Sequence, residues 1–205
     1  MITKKILAEK ILRRVFGGDI PSTKPFDERD VYLEAESCRN YLIEKYLNLY
    51  GEDIQGEFIT TYEAVPVLKN EARNRYYSVM PAQLVSARST RNISGIRQVS
   101  GVQEEYDVFI PLKSGDLSVF NGLEASGLGC QIGYWIESDK LYYENMPALF
   151  DGKTVMVKMI SSIYSLDEDE YIPIPASVEV ELEDMIFERL LMMYQTKEDR
   201  IPDNT

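Results

Sequence analysis

The side chains that most often perform catalysis are either missing from this chain or poorly spaced for it. The 205 residues include no histidine, which removes the commonest general base and the commonest metal ligand. Serine nucleophiles lack a histidine to activate them, and no spacing supports a lysine base. Carboxylates are abundant, but their positions single out no pair for acid–base catalysis. We therefore expect no enzymatic activity, no catalytic residue, no metal site and no cofactor.

Two further segments have a binding interpretation and a simpler one. The run Asp167–Glu170 could hold calcium, but it lacks the alternating ligands and the glycine of an EF-hand loop. We interpret it as a solvated acidic turn. The glycines of Gly122–Gly129 could hold a phosphate, but no lysine followed by serine or threonine closes the run. We expect a loop there that leads into the following strands.

A basic stretch at residues 69–97 interrupts an otherwise acidic protein. It holds six lysines and arginines against Glu71 alone, whereas the whole chain has a formal charge of -12. Tyr76 and Tyr77 lie within it. One interpretation is a contact surface for an acidic neighbour or for a phosphate backbone. The other is a solvated loop whose charges balance acids of the same subunit.

Hydrophobic periodicity predicts three helices. The first runs over Thr3–Phe16 and ends at two glycines. The second runs over Glu28–Tyr50, with Asp27 as its N-cap and Phe26 and Val31 spaced as a hydrophobic staple. The third follows a proline-rich run, with Ser177 as the predicted N-cap, and ends near residue 195.

The first helix differs from the others in charge. Residues 1–18 carry a net charge of +4, and a linker with two prolines follows them. One interpretation is that the apolar stripe of this helix packs on the sheet of its own chain, as such stripes usually do. The other, which we take as our prediction, is that the helix docks on a partner chain and that deleting residues 1–18 leaves a folded protein. The predicted contact residues are Ile6, Leu7, Ile11 and Val15.

Short runs rich in β-branched and aromatic residues fill the middle of the chain. The clearest is a hairpin in Gly129–Asn145, with the turn Glu137–Lys140 between its strands. The predicted strands are Phe58–Tyr62, Val65–Leu68, Arg75–Val79, Gln83–Ser86, Ile96–Val99, Val108–Leu112, Leu117–Phe120, Ile132–Ile136, Leu141–Tyr143 and Thr154–Ile160.

These elements predict an α+β fold with a β-rich, mostly antiparallel central domain between N-terminal helices and a C-terminal helix. The predicted segments are an N-terminal helical arm at 1–18, a second helix at 26–51, the β-rich domain at 52–164, and an acidic segment, C-terminal helix and polar tail at 165–205. Cys38 and Cys130 are expected to be free thiols in a reducing compartment. No signal peptide and no membrane span are expected.

Five segments of the chain resemble a known family. They are KKILAEKILRRVFGGDIPS, FDERDVYLEAES, GEFITTYEAVPV, RYYSVMPAQ and IPIPASVEVELEDMIFERLLMMY. In their order along the chain they resemble the ring proteins of the head-to-tail connector, or neck, of crAss-like tailed bacteriophages.

The resemblance implies a non-enzymatic virion protein made in the cytoplasm of a bacterial host. Such proteins form a closed ring, typically of twelve copies, between the portal and the tail and around the channel that genomic DNA crosses. The implied partners are further copies of the chain, the portal, and neighbouring neck or tail proteins, with non-specific proximity to DNA. The alternatives are a monomeric adaptor that binds another protein and, as the weakest option, a hydrolase.

In a closed ring, one face of each copy contacts a different face of the next copy. Separate basic and acidic regions on one chain suit such contacts. We therefore predict that the basic stretch faces acidic groups on a neighbouring copy, with Asp167–Glu170 or the first turn of the last helix as its partners. The rival is DNA contact by the same side chains. The arginines concerned are Arg73, Arg75, Arg88, Arg91 and Arg97.

Overall fold

The computed structural model describes residues 2–21, 25–50, 56–85, 95–102, 108–113 and 131–198, except for the side chains of 195–198. Helices are present together with two mostly antiparallel sheets, which confirms the predicted α+β class. The chain divides into two compact units. A helical unit comprises residues 1–59, 85–94 and 161–205, and a sheet unit comprises residues 60–84 and 95–160.

Within the described residues, the helical unit contains three α-helices: α1 (Lys4–Val15), α2 (Glu28–Tyr50) and α3 (Ala176–Glu198). The bounds of α1 and α2 confirm the periodicity argument. The N-cap predicted for α3 is wrong by two residues, because the helix already begins at Ala176. Each of the three helices packs on the other two. None of the described helices is long and apolar enough to span a bilayer.

Side chains cap the first two helices; the Asp27 cap was predicted, whereas Thr3, which was predicted to be the first helical residue, is the N-cap of α1. The Thr3 hydroxyl accepts a hydrogen bond from the Ile6 amide at 3.3 Å. Asp27 and Asp30 form a reciprocal pair, in which each carboxylate accepts from the other residue's backbone N–H at 3.1 and 2.9 Å. These bonds satisfy amide donors that a helix N-terminus leaves without intrahelical partners.

The predicted contact residues of α1 do not form one exposed face. Leu7 and Ile11 are buried within the chain, Val15 is partly buried, and Ile6 is 55% exposed. The structure therefore places Leu7 and Ile11 in the core of the helical unit and leaves them no surface for a partner chain. The periodicity identified the buried stripe but not what covers it, because any apolar surface satisfies the same pattern.

The described part of the sheet unit contains eight strands. One sheet has the order β1-β8-β4 and the other has the order β2-β3-β7-β6-β5. All pairs are antiparallel except β5 with β6. The strands are β1 (Thr60–Pro66), β2 (Leu68–Asn70), β3 (Arg75–Val79), β4 (Ile96–Gly101), β5 (Ile110–Pro111), β6 (Gly133–Glu137), β7 (Lys140–Glu144) and β8 (Thr154–Met159).

Several predicted strands need correction. The end of the run Phe58–Tyr62 and the start of the run Val65–Leu68 belong to one strand, β1, whereas Leu68 begins β2. Strand β1 stays continuous because a bulge between Tyr62 and Val65 accommodates its polar break. Gln83–Ser86 is not a strand in its described part. Val108–Leu112 shortens to the two residues of β5. Leu117–Phe120 lies outside the described residues.

The sheet unit has its own apolar core. Phe109 lies within it, with its ring edge-on to Tyr143 at 6.0 Å and to Phe150 at 6.2 Å between ring centroids. The buried members of this cluster include Val65, Val99, Leu141, Val155 and Val157. In the helical unit, Cys38 is a free and buried thiol whose pKa is raised to about 11 by burial. Cys130 lies outside the described residues.

Candidate functional site

Aromatic side chains form a row across three strands of the larger sheet. Tyr77 on β3 pairs with Tyr142 on β7, which pairs with Trp135 on β6. Residues directly opposite each other in a ladder lie on the same face. The Trp135 and Tyr142 rings stack with centroids 5.5 Å apart, and the Tyr77 and Tyr142 centroids are 6.0 Å apart. We call Tyr77, Tyr142 and Trp135 the aromatic row.

One cation lies over each ring of this row. The Arg75 guanidinium lies 5.2 Å from the Trp135 centroid, and the Arg73 guanidinium lies 5.5 Å from that of Tyr142. The Lys140 ammonium lies 5.1 Å from the centroid of the Tyr77 ring. Such contacts are attractive because the ring face is electron-rich, and each contributes about 0.5–1 kcal/mol at exposed sites. We call the row together with Arg73, Arg75 and Lys140 the cation–aromatic face.

Carboxylates of the same chain hold the two arginines. Arg73 pairs with Glu137 at 3.1 Å, and Arg75 pairs with Glu144 at 3.5 Å between the nearest nitrogen and oxygen. The first pair is about half exposed on both sides, so its net contribution to stability is at most about 1 kcal/mol. Within the described ranges, Lys140 has no carboxylate within ion-pair distance. The face is therefore ordered but still open to other anionic groups.

The opposite face of the same strands is part of the core. Tyr134 and Tyr143 are buried there, and the Tyr143 hydroxyl donates a hydrogen bond to Ser78 Oγ at 2.9 Å. Burial raises the pKa of Tyr134 to about 12 and also raises that of Tyr143. Strand alternation thus turns Tyr76 and Tyr143 toward the core and Tyr77 and Tyr142 toward the cation–aromatic face, where the Tyr142 ring, covered by its neighbours, is itself only 5% exposed.

The structure describes three of the five arginines of the predicted contact surface and separates one of them from the other two. Arg73 and Arg75 lie together on the cation–aromatic face, whereas Arg97 lies on β4 of the other sheet. Arg88 and Arg91 lie outside the described residues. For Arg73 and Arg75, the acids that balance the charge belong to the same subunit, which is the second interpretation of the basic stretch.

Sequence reasoning missed most members of this face. It identified the hairpin of β6 and β7 but assigned no role to Trp135, Tyr142 or Lys140. The available signal was the two-residue alternation in the hairpin, which separates Trp135 and Tyr142 from the core residues beside them. Strands β3 and β7 are far apart in the sequence, so no local pattern predicts that they pair or in which register.

The acidic turn Asp167–Glu170 is exposed, as expected, and hydrogen bonds hold its backbone in place. The Glu170 carboxylate accepts from the Asp167 amide at 2.9 Å. The backbone carbonyls of Glu168 and Glu170 accept from the amides of Lys5 and Lys4 at 3.0 and 3.3 Å. Among the described residues, no group of three histidine, cysteine, aspartate or glutamate side chains is placed to hold a metal ion.

The residue types of the cation–aromatic face are those typical of macromolecular contact surfaces. Tryptophan, tyrosine and arginine are the residues most enriched where truncation weakens protein–protein binding. Their rings and guanidinium groups are already ordered by mutual contacts, so little side-chain freedom would be lost on association. No protein-family model matches the chain, and a search of curated proteins finds no relative.

Proposed function

We propose that the protein is a structural virion protein, a subunit of the head-to-tail connector of a tailed bacteriophage. In this proposal it forms a homo-oligomeric ring between the portal and the tail, around the DNA channel. The observation that supports it is the cation–aromatic face, whose composition is that of a protein-binding surface. The five sequence segments that resemble connector ring proteins are the reason for proposing this particular assembly.

The arrangement of charge favours a protein partner over a nucleic acid. Arg73 and Arg75 are each paired with a glutamate, so the face has little net positive charge. A phosphate backbone binds where cations outnumber acids, because affinity comes from released counterions. A protein surface can instead match a mixed pattern of charges and aromatic rings residue by residue.

Incorporation into particles tests the proposed function. Host cells would assemble phage particles whose resident copy is replaced by the wild-type chain or by Trp135→Ala. Quantitative mass spectrometry of purified particles then gives the number of copies of the chain per portal. We expect several copies of the wild type in each particle. Loss of one central aromatic anchor typically costs 2 kcal/mol or more, so incorporation should fall by about thirtyfold.

The matched control is Leu149→Ala, because Leu149 is an exposed apolar residue outside the cation–aromatic face of the same unit. Its incorporation should equal that of the wild type, and thermal unfolding should show that both variants are folded. If purified particles contain none of the wild-type chain, the connector proposal is wrong. If each particle holds a single copy and the purified chain is monomeric, the adaptor alternative is favoured instead.

A further inference from the structure

The turn between β2 and β3 sends the Arg73 side chain across the cation–aromatic face. Arg73 precedes β3, yet its guanidinium pairs with Glu137. In the sheet, Glu137 lies at the level of Val79, because both residues pair with Lys140. Six residues of extended strand would separate Arg73 from that level by about 20 Å. The contact therefore requires the turn at residues 71–74 to fold back toward the face.

The folded turn holds Arg73 over the middle of the aromatic row. The guanidinium lies 5.5 Å from the Tyr142 centroid and pairs with Glu137 at 3.1 Å. Tyr142 lies on the outer face of the sheet but is only 5% exposed, so neighbouring side chains, Arg73 among them, cover its ring. The Arg73 amide also donates to Asn70 Oδ1 at 3.2 Å. We call residues 71–74, with the Arg73 side chain, the strap.

Arg75 makes contacts of the same kind from a more rigid position. It lies over Trp135 and pairs with Glu144, but it belongs to β3, which is paired with strands on both sides. The Glu144 side chain is 15% exposed, whereas both partners of the Arg73 pair are about half exposed. Water weakens an ion pair more when both partners are exposed. Of the two arginines, Arg73 is therefore the one that leaves its ring more readily.

We propose that the strap is a latch that opens and closes over Tyr142 in the free chain. One exposed ion pair and one cation–π contact together favour the closed state by a factor of about 10. Roughly one chain in ten then has an open strap, and a partner of the cation–aromatic face meets the central ring only in that minority. The apparent affinity of the partner falls by the open fraction. The latch thus restrains binding at this face, and the inference does not depend on the connector assignment.

Nitration of tyrosine by tetranitromethane measures the opening, because the reagent needs an accessible ring. The full-length protein is treated at mildly alkaline pH, and mass spectrometry of its peptides gives the rate at each tyrosine. Tyr171, which is 60% exposed, is the reference for an open ring, and the buried Tyr143 reports any loosening of the core. We expect Tyr142 to react about tenfold more slowly than Tyr171, in proportion to the open fraction, and faster than Tyr143.

Glu137→Gln distinguishes a latch from a fixed cover. The variant keeps Arg73 and replaces a carboxylate by an amide of nearly the same shape, so a fixed cover would protect Tyr142 as before. A latch loses its ion pair, so the rate at Tyr142 should rise about threefold. Raising the salt concentration to about 1 M should also speed the reaction in the wild type, because the screening length falls to about 3 Å. It should have little further effect in Glu137→Gln.

Asn70→Ala tests whether the turn is the part that moves. The substitution removes the acceptor of the Arg73 amide without changing any charge, so the rate at Tyr142 should rise by about twofold or more. The matched control is Lys140→Ala, which removes a cation from the same face, but one that lies over Tyr77. This control should leave the rate at Tyr142 unchanged.

Three results would overturn the inference. If Tyr142 reacts as fast as Tyr171 in the wild type, the strap is not closed in the free chain. If Glu137→Gln and high salt leave the rate at Tyr142 unchanged, the strap is a fixed cover. If the variants accelerate Tyr143 as much as Tyr142, or if Lys140→Ala has the same effect, the sheet loosens as a whole. Each of these results leaves the incorporation test of the connector proposal unaffected.

Discussion

At the scale of single residues, the most consequential side chain is the buried Arg39. It is fully buried in the middle of α2 and donates to three backbone carbonyls, those of Ser161 at 2.9 Å, Pro173 at 3.1 Å and Phe58 at 3.4 Å. Phe58 and Ser161 belong to the segments by which the chain leaves for the sheet unit and returns from it. One guanidinium therefore fixes three loops that have no regular backbone ladder at those points.

Arg39→Met should destabilise the protein strongly. The substitution removes every donor and leaves buried carbonyls without partners, so the free energy of unfolding should fall by about 3 kcal/mol or more. Urea unfolding followed by circular dichroism measures it. Arg13→Met, on the exposed side of α1, should change the free energy by less than about 0.5 kcal/mol. Equal effects of the two substitutions would contradict the role assigned to Arg39.

The sequence does not reveal this role of Arg39, although it predicts α2 correctly. The sequence pattern of a single arginine beside an apolar stripe is the same whether its guanidinium group lies in solvent or binds three buried carbonyls. The same holds for Arg73 and Arg75, which charge counting identified as a basic patch. Their partners, Glu137 and Glu144, lie more than 60 residues later in the chain, so the pairing depends on a sheet register that local sequence does not encode.

Buried tyrosines should make the sheet unit sensitive to alkali. Burial raises the pKa of Tyr134 from about 10 to about 12. The neutral hydroxyl is therefore favoured in the folded state, and this contribution is fully present below about pH 10 and lost as the pH rises toward 12. A shift of two units corresponds to about 3 kcal/mol at most.

Urea unfolding between pH 8 and 11.5, followed by the fluorescence of Trp135, the one tryptophan in the sequence, measures this loss. Tyr134→Phe should make the decline above pH 10 shallower, because one of the two buried tyrosines that ionise on unfolding is gone while Tyr143 remains. Tyr171→Phe, at an exposed position, should leave the pH profile of the wild type unchanged. An identical decline in Tyr134→Phe and wild type would show that Tyr134 does not carry the effect.

At the scale of elements, α1 belongs to the helical core. Leu7, Ala8, Ile11 and Leu12 are buried. Lys10 pairs with Glu183 at 2.5 Å and Arg14 with Asp184 at 2.6 Å, so acids of α3 balance two of the five basic side chains in the first 18 residues. The charge sign that suggested a separate docking element is therefore explained within the chain.

Deleting residues 1–18 should unfold the helical unit rather than leave it intact. Burying each large apolar side chain contributes about 1.5–3 kcal/mol, and several such residues together approach the whole stability of a typical domain. Circular dichroism and limited proteolysis of residues 19–205 measure the result. Leu7→Ala alone should lower the free energy of unfolding by about 2–5 kcal/mol, whereas Ile6→Ala, at the exposed position, should cost far less. If the truncated chain keeps the helix content and the melting temperature of the full chain, this prediction is wrong and α1 is a docking arm.

The sequence predicted the helices and strands better than it predicted which of them pack together. The start of α2 was readable because capping residues act over three or four positions, as Asp27 and Asp30 show. The β6–β7 hairpin was readable because its turn is local. Strand β1 was split in two because a bulge leaves a polar gap in an otherwise continuous strand. Helix α1 packs on α3, which follows it by more than 150 residues. A rule based on neighbouring residues cannot predict a contact at that separation.

At the scale of the whole molecule, net charge decides between protein and DNA as partners of the cation–aromatic face. The chain carries a charge of -12, and its two arginines on this face are paired with glutamates. Few counterions would therefore be released from DNA on binding. The isolated protein should show no binding to duplex DNA with a Kd below about 100 µM at about 150 mM salt, the range in which DNA-binding proteins bind non-specifically.

Fluorescence anisotropy with a labelled duplex tests this prediction, together with a variant in which Arg73, Arg75 and Lys140 are all glutamate. A second variant places glutamate at Lys5, Arg13 and Lys153, which are exposed and lie outside the face, so the two variants have equal net charge. If protein contact is the role of the face, neither the wild type nor either variant binds DNA, and only the first variant loses incorporation into particles. If the wild type binds the duplex, the first variant does not, and all three proteins incorporate equally, the arginines contact DNA in the channel. The comparison is decisive because both variants change the long-range field equally, and they differ only in the local surface that a partner must touch.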